Sequence, residues 1–272
     1  MTTSTAWQLG QEAAQRYEEI LTPVILGPFA QALVNFAGVQ PGECVVDVGC
    51  GTGAAARYAA TFAESTGTVI GVDVNPGMIA VATAVATAPH DALCWRVADA
   101  TELPLEDATV DLVLCAQSLQ FMREKALPAL AEMRRVLRPG GRVAVSLWCA
   151  IEENPYFHIL VEAITRHIGA DTAVGLQSAF ALSDLDEMSE LLCNADFRQI
   201  ECAVAQLDLP LPELTDWVPR HIGATPMAAS FRQSALTVQA HVIQDVITEL
   251  GTYSHNGEVV VPFQSHLLLG CV

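Results

Sequence analysis

Val45-Val46-Asp47-Val48-Gly49-Cys50-Gly51-Thr52-Gly53 is the stretch on which the reading of this chain turns. Glu43–Val48 reads as a short, nearly apolar strand. Three glycines in five residues then force an abrupt turn, and the alanine-rich run Thr52–Phe62 reads as a helix. Glycine lets a backbone adopt left-handed conformations and lets a ligand come close to it. A strand, a glycine turn and a helix open a βαβ unit, and the turn lies at the carboxyl end of a strand, where open α/β sheets bind ligands.

The same rhythm continues downstream. Thr68–Val72 reads as a strand and Pro76–Ala86 as a helix with proline at its first position. Ala92–Val97 and the fully apolar Val110–Ala116 read as strands. Glu124–Leu137 reads as a helix stopped by Pro139-Gly140-Gly141, and Arg142–Leu147 as a fifth strand. Apolar strands alternating with helices predict an α/β, doubly wound, mostly parallel sheet covered on both faces. Beyond Trp148 the rhythm changes: 154–168 and 184–194 read as helices, Gln199–Leu209 as a strand, 212–250 as further helix, and Val259–Leu269 as a last strand. Upstream, Trp7–Tyr17 and Val24–Phe36 read as helices. There is no repeat, low-complexity tract or linker. The expectation is one domain over 1–272, made of an N-terminal helical cover (1–40), a ligand-binding core (41–150), and remaining strands with cap helices (151–272).

The chain has 272 residues, with 31 Asp plus Glu, 13 Lys plus Arg and a net charge of −18. Hydrophobic residues make up 51% and charged residues 16%, a composition that disfavours disorder. A nucleic-acid partner is not expected, because phosphate backbones demand clustered cations and Lys125 is the single lysine. Anionic membrane surfaces are disfavoured by the same sign. The basic cluster Arg123, Lys125, Arg134, Arg135, Arg138 and Arg142 reads as a solvated helix face. The start of the chain has neither a basic n-region nor an apolar h-region. The uncharged run Ile20–Gly42 contains Pro23, Gly27, Pro28 and Pro41, which are expected to break it as a spanning helix. A cytoplasmic location follows as an expectation. Eight cysteines include no C-x-x-C pair, so reduced, buried thiols are expected and no metal site.

Two further acids give the glycine loop a chemistry. Asp73 ends the second strand, 20 residues after Gly53, where a carboxylate can accept hydrogen bonds from both hydroxyls of a ribose. Asp99 ends the third, where it can accept from an adenine amino group. Asp47, two residues before the first glycine, is a poor neighbour for a pyrophosphate and a good one for an ammonium group. An adenosine-containing cofactor is therefore expected. Gly49, Gly51 and Ala54 also satisfy the loose dinucleotide form G-x-G-x-x-G/A, so an NAD(P)-dependent oxidoreductase and a non-catalytic cofactor-binding protein stay as alternatives.

VVDVGCGTG, VIGVDVNPGMI, VADATELPLEDATVDLVLCAQSLQ and RRVLRPGGRVAVSLW together resemble the class I S-adenosylmethionine-dependent methyltransferases. The likeness is to the small-molecule group that includes the ubiquinone/menaquinone C-methyltransferases. It is strongest over residues 40–150. It implies a seven-stranded, Rossmann-like sheet whose last strand, within Val259–Gly270, is antiparallel. It implies an enzyme that moves a methyl group from S-adenosyl-L-methionine to a small molecule by in-line displacement, with N, O or C as the methylated atom left open. The loop Gly49, Cys50, Gly51 and Gly53 would pack on the methionine part and Asp47 would hold it electrostatically. Asp73 would take the ribose, Val74 and Met78 would flank the adenine, and Asp99 with the Ala100 amide would bind its edge. The backbone at Cys115 and Ala116 would lie beside the amino group. Tyr17 and Arg16 would cover the cofactor. Gln117, Ser118 and Gln120 would face the acceptor. A lid over 150–183 and 211–250, with Trp148, Tyr156, Phe157, Phe180, Trp217 and Phe231, would line a partly apolar acceptor pocket. No catalytic dyad is visible; His158 and His221 are the candidate histidines.

Overall fold

The computed structural model describes residues 10–86 and 92–272, so the start of the helix expected from Trp7 lies outside the described residues. The strands are β1 (Cys44–Val48), β2 (Thr68–Asp73), β3 (Leu93–Val97), β4 (Val110–Ala116), β5 (Leu137–Trp148), β6 (Arg198–Leu211), β7 (Ser254–His255) and β8 (Glu258–Cys271). They form one sheet in the order β3-β2-β1-β4-β5-β8-β6, with β7 paired to β8. Strands β1 to β5 are mutually parallel, and β8 is antiparallel to both β5 and β6. The Rossmann-like α/β sheet is therefore present, with an eighth strand beyond the seven expected. That strand is β7, joined to β8 in a hairpin turned by Asn256-Gly257, both at positive φ, and Asn-Gly is the dipeptide that such tight turns favour.

Alternation along each strand divides the core. Val46, Val48, Val113, Cys115, Val143 and Val145 face α5 (Ala126–Val136) and α8 (Leu185–Asn194). Val45, Val69, Leu112, Leu114 and Ala144 face the other way, against α2 (Gly27–Ala37) and α3 (Ala54–Ala63). The period of two is what a strand imposes, and each fully buried Val or Leu is worth about 1.5–3 kcal/mol. Sequence-local signals set the helix ends. Asn75 caps α4 (Pro76–Val85) by accepting from Gly77 N at 2.8 Å. Asp184 accepts from the amides of Asp186 and Glu187 at the start of α8, a cap worth about 1 kcal/mol.

The N-terminal segment departs from expectation. Pro23 and Pro28 do not break it: α1 (Gln11–Arg16), a π-helical stretch Tyr17–Leu26 and α2 run on continuously. Pro23 has no N–H to offer and its ring crowds the preceding turn. The helix widens instead, and Gly27 N donates to Thr22 O, five residues back. A Cβ at Gly27 would stand 2.7 Å from that oxygen, so the bare backbone of glycine is what lets the wide turn close. By length and composition Gln11–Ala37 could cross a membrane, and half of its most apolar 18-residue window is buried inside the protein.

The region expected as continuing helix over 212–250 is three helices, α9 (Leu214–Gly223), α10 (Ala228–Gln233) and α11 (Leu236–Leu250). With α6 (Pro155–His167) and α7 (Ala170–Gln177) they form the cap. Its core holds Leu160, Ile164, Trp217, Val242 and Val246, and takes Ile20, Ile25 and Phe29 from the N-terminal helix. The expected basic face does not exist as one surface. Arg142 reaches Glu43 and the Ala37 and Gly38 carbonyls, Arg135 reaches Glu132, Asp107 and two loop carbonyls, and Arg138 pairs with Asp111.

Candidate active site

A cavity of about 270 Å³ opens at the carboxyl ends of β1, β2 and β4. The glycine turn forms its floor. Gly49, Gly51 and Gly53 all have positive φ, and the space where a Cβ of Gly51 would stand is clear to 4 Å. Gly53 is bare for another reason: the Trp95 indole from β3 lies under it and under Gly71, and would collide with a Cβ at either position.

Asp73 is on the wall. Its Oδ2 accepts from Gly51 N and its Oδ1 from Asn75 N, each at 2.8 Å. Burial pushes its pKa up, against these two bonds. Asp99 stands across the cavity. Thr101 N and Oγ1 donate to its Oδ1 and Lys125 Nζ sits 2.9 Å from its Oδ2. The Thr101 amide first, and then Lys125, bring its pKa down to about 2, so it is ionised. Tyr17, Val74, Met78, Ala98, Ala100 and Ala116 complete the walls. Burial first, then Asp73, raises the Tyr17 phenol.

The structure thus brings together Tyr17, Gly49, Cys50, Gly51, Asp73, Val74, Met78, Asp99 and Ala100, all on one cavity. It does not bring every expected residue there. Asp47 is fully buried behind the loop, where its Oδ2 accepts from Ala56 N at 2.9 Å and its Oδ1 has no partner. Burial lifts its pKa to about 7. Gly53 faces Trp95. The Cys115 side chain points into the sheet core, its thiol pushed up to about 12 by burial, and of the expected pair only Ala116 lines the wall. Arg16 pairs with Glu12 outside the cavity.

A second cavity of about 60 Å³ adjoins the first and shares Tyr17, Leu26, Gln117 and Phe121 with it. Trp148, Phe157, Phe180, Gln120, His221 and Thr225 line the rest of it, beside Leu21, Ile25, Leu176 and Ala179. Trp148 stands edge-on to Phe157 with ring centroids 5.3 Å apart. Burial alone drops the pKa of His221 to about 3, leaving the imidazole neutral. Gln117 has φ +49. It is held by Ser146 O, which its own amide reaches at 3.0 Å, and by Ser265 Oγ, reached by its Nε2 at 2.7 Å. Ser265 in turn donates to Leu147 O. So β8, 148 residues away in sequence, anchors the residue between the two cavities.

Several expected acceptor residues stand elsewhere. Trp217 lies on neither cavity wall; it packs against His221 with ring centroids 5.1 Å apart. Tyr156 and Phe231 are buried in the cap core. His158 is on the surface near Glu162, so of the two candidate histidines only His221 meets a cavity. Ser118 lines the first cavity and Gln120 only the second. Sequence reasoning missed Thr22, Leu26, Asn75, Met122 and Lys125 on the first wall. It also missed a clamp on the loop: Glu18 accepts from Thr52 Oγ1 at 2.6 Å and pairs with Arg57 at 2.7 Å. Asn75-Pro76 carried a visible helix-start signal, whereas the contacts of Thr22 and Glu18 depend on the docking of a distant helix.

A family model described as a methyltransferase domain matches residues 46–145. The chain is 42% identical over 173 residues to the ubiquinone/menaquinone biosynthesis C-methyltransferase of Bordetella avium, covering 55% of this chain and 67% of that protein. It is 30% identical over 185 residues to the arsenite methyltransferase of Halobacterium salinarum, covering 67% of this chain and 44% of that protein. Its fold matches that of the phosphoethanolamine N-methyltransferase 2 of Haemonchus contortus in complex with phosphomonomethylethanolamine and S-adenosylhomocysteine. That match has a TM-score of 0.61 at 18% identity, covering 99% of this chain and 59% of that one. The chain thus spans about half to two thirds of the curated relatives named here. It belongs to the class I S-adenosylmethionine-dependent methyltransferases, an enzyme family whose cofactor is S-adenosylmethionine. The oxidoreductase alternative is not favoured by these matches.

Proposed function

We propose that this protein transfers a methyl group to a small, partly apolar organic acceptor held in the second cavity. The observation that carries this reading is the junction of two unlike cavities. One is edged by a glycine turn and two carboxylates, and the other is walled by aromatic rings. When bound, S-adenosylmethionine supplies an already activated sulfonium methyl.

The first cavity suits that group. In this reading Gly51 receives it against bare backbone. Asp73 accepts from ribose hydroxyls with the lone pairs left over from its bonds to Gly51 and Asn75. Ionised Asp99 accepts from the adenine edge, between Val74 and Met78. Buried Asp47 acts from behind the loop, by its field on the amino-acid end. The chain's remaining task is orientation. Gln117, fixed by β8, and Tyr17 stand at the junction, and Phe121, Trp148, Phe157 and Phe180 keep water from it. Holding two reactants in line can supply on the order of 7–11 kcal/mol of the barrier, so a dedicated base is required only where the attacking atom carries a proton that must leave as the new methyl bond forms and the carbon–sulfur bond breaks. His221, kept neutral by burial, serves as a hydrogen-bonding wall. This reading keeps a cytoplasmic location, in accord with cysteines that form no disulfide.

Thermal-shift measurements with S-adenosylhomocysteine, NAD and NADP test the cofactor site. A ligand at 100 times its dissociation constant adds about 2.7 kcal/mol of stability, and only S-adenosylhomocysteine should give it. Gly51→Val should keep the wild-type circular dichroism and lose that shift. A shift retained in Gly51→Val would move the ligand off the loop. Methyl transfer itself is read by incubating candidate acceptors with methyl-labelled cofactor.

A further inference from the structure

Gln120 carries a feature that methyl transfer alone does not require. It is 3% exposed and lines the second cavity, and both its Oε1 and its Nε2 are buried without a hydrogen-bond partner. On the same cavity, Oε1 of Gln117 and Nδ1 of His221 are likewise unpartnered. Buried polar side chains in folded proteins are overwhelmingly paired, so a buried carboxamide on a cavity wall with neither end partnered marks a place where a ligand can supply both partners.

The chemistry of that ligand follows from the amide. Gln120 presents a carbonyl acceptor and an N–H donor side by side. Its complement is a group with a donor next to an acceptor along one planar edge, as in a lactam or in a ring bearing a hydroxyl beside a carbonyl. A carboxylate offers acceptors alone and an ammonium donors alone, so each leaves one end of Gln120 unpaired. The surroundings select against charge as well. Among the described residues no Asp, Glu, Lys or Arg lines this cavity. The walls are flat: Trp148, Phe157 and Phe180 pack ring against ring, with the Phe157 and Phe180 centroids 5.5 Å apart. The small volume, continuous with the first cavity through shared lining residues, disfavours a fused ring system.

We infer that the methyl acceptor is an uncharged planar ring with a hydrogen-bond donor beside an acceptor on one edge, and that Gln120 reads this edge. The inference rests on the reading of the second cavity as the acceptor site.

The test uses the full chain saturated with S-adenosylhomocysteine and three single-ring probes followed by ligand-observed NMR titration. 2-Pyridone carries the complete edge, N-methyl-2-pyridone lacks the donor, and pyridine-2-carboxylate is charged. Wild type should bind 2-pyridone at least about tenfold more tightly than either comparator, since a site built to hydrogen-bond rejects analogues that leave its polar groups unpaired. Gln120→Leu puts an apolar side chain of similar size at this position. It should weaken 2-pyridone binding about tenfold or more and erase its advantage, with S-adenosylhomocysteine binding unchanged. Equal binding of all three probes by wild type overturns the inference whether or not the variant folds, as does a Gln120→Leu variant that keeps the preference. Failure of S-adenosylhomocysteine to bind in the first step overturns the cofactor reading instead, so the two failures are distinguishable.

Discussion

Asp47 is a buried carboxyl behind the glycine turn, outside the cavity that the turn lines. Its carboxyl is fully buried and has a single hydrogen bond, from Ala56 N, and its pKa is lifted to about 7 from 3.8, by burial first. A group with a raised folded pKa contributes stability that is fully present below its unfolded pKa. For Asp47 that contribution is present below about pH 4 and is lost as pH rises to about 7. The loss is on the order of 4 kcal/mol when complete. Asp47→Asn removes the titration and keeps an oxygen for the Ala56 amide. Urea midpoints of the ligand-free variant should fall less between pH 5 and pH 8 than those of wild type, and at pH 8 the variant should be the more stable. Parallel pH profiles would mean that Asp47 does not titrate in this window. At the same scale, Gly51, Asp73 and Asp99 were legible in sequence because each sits at a strand's carboxyl end, a position that strand counting locates. The inward placement of Asp47 and Cys115 was not, since a shift of one residue along a strand exchanges wall for core.

The N-terminal helix is the element on which both cavities depend. Tyr17, Thr22 and Leu26 line the first, and Tyr17, Leu21, Ile25 and Leu26 the second. The wide turn at Pro23 sets which of these side chains point inward, and π turns recur at functional sites. The helix is tied to the glycine turn through Glu18, whose partners are Thr52 and Arg57, with Glu18 and Arg57 only 16% and 22% exposed. Removing one member of such a half-buried set costs about 1–3 kcal/mol. Glu18→Ala should therefore weaken S-adenosylhomocysteine binding about tenfold by calorimetry and speed amide exchange over residues 17–26. Unchanged exchange together with unchanged affinity would show that the helix holds its place without the clamp. Helicity was legible here from composition. Continuity through two prolines was not, because it needs the Gly27 and Thr22 backbones to meet.

The whole molecule is organised by the β6–β8 ribbon. β5 ends its pairing at Trp148 opposite Ser265, while β6 and β8 pair onward to Leu211 and Val259. That overhang carries Leu209, Leu211, Val261 and Phe263 into the core of the cap. Asn154, at the start of α6, is fully buried and fastens the cap to the same ribbon: its Oδ1 accepts from Gln264 N and its Nδ2 donates to Gln264 O. Sheet and cap therefore share strands and are expected to unfold together. Far-ultraviolet circular dichroism, which follows the whole chain, and tryptophan fluorescence, to which Trp95 reports from the sheet, Trp148 from the junction of sheet and cap and Trp217 from the cap, should give coincident urea transitions. A cap transition at lower urea would divide the chain into two units.

Strand period, glycine turns and helix-start residues act over a few neighbouring positions, so the sheet, its parallel core and the glycine loop at its edge were already written in the order of the amino acids. Four motifs in register then pointed to the methyltransferase family. The lining of the second cavity is set only by the folded chain. Gln117 is held by Ser265 from 148 residues away. Gln120 and His221 meet on one cavity, while Trp217 stands behind it and His158 on the surface. Those placements depend on how helices dock across the sheet's end, an arrangement set by the packing of many apolar side chains at once. No local pattern encodes it.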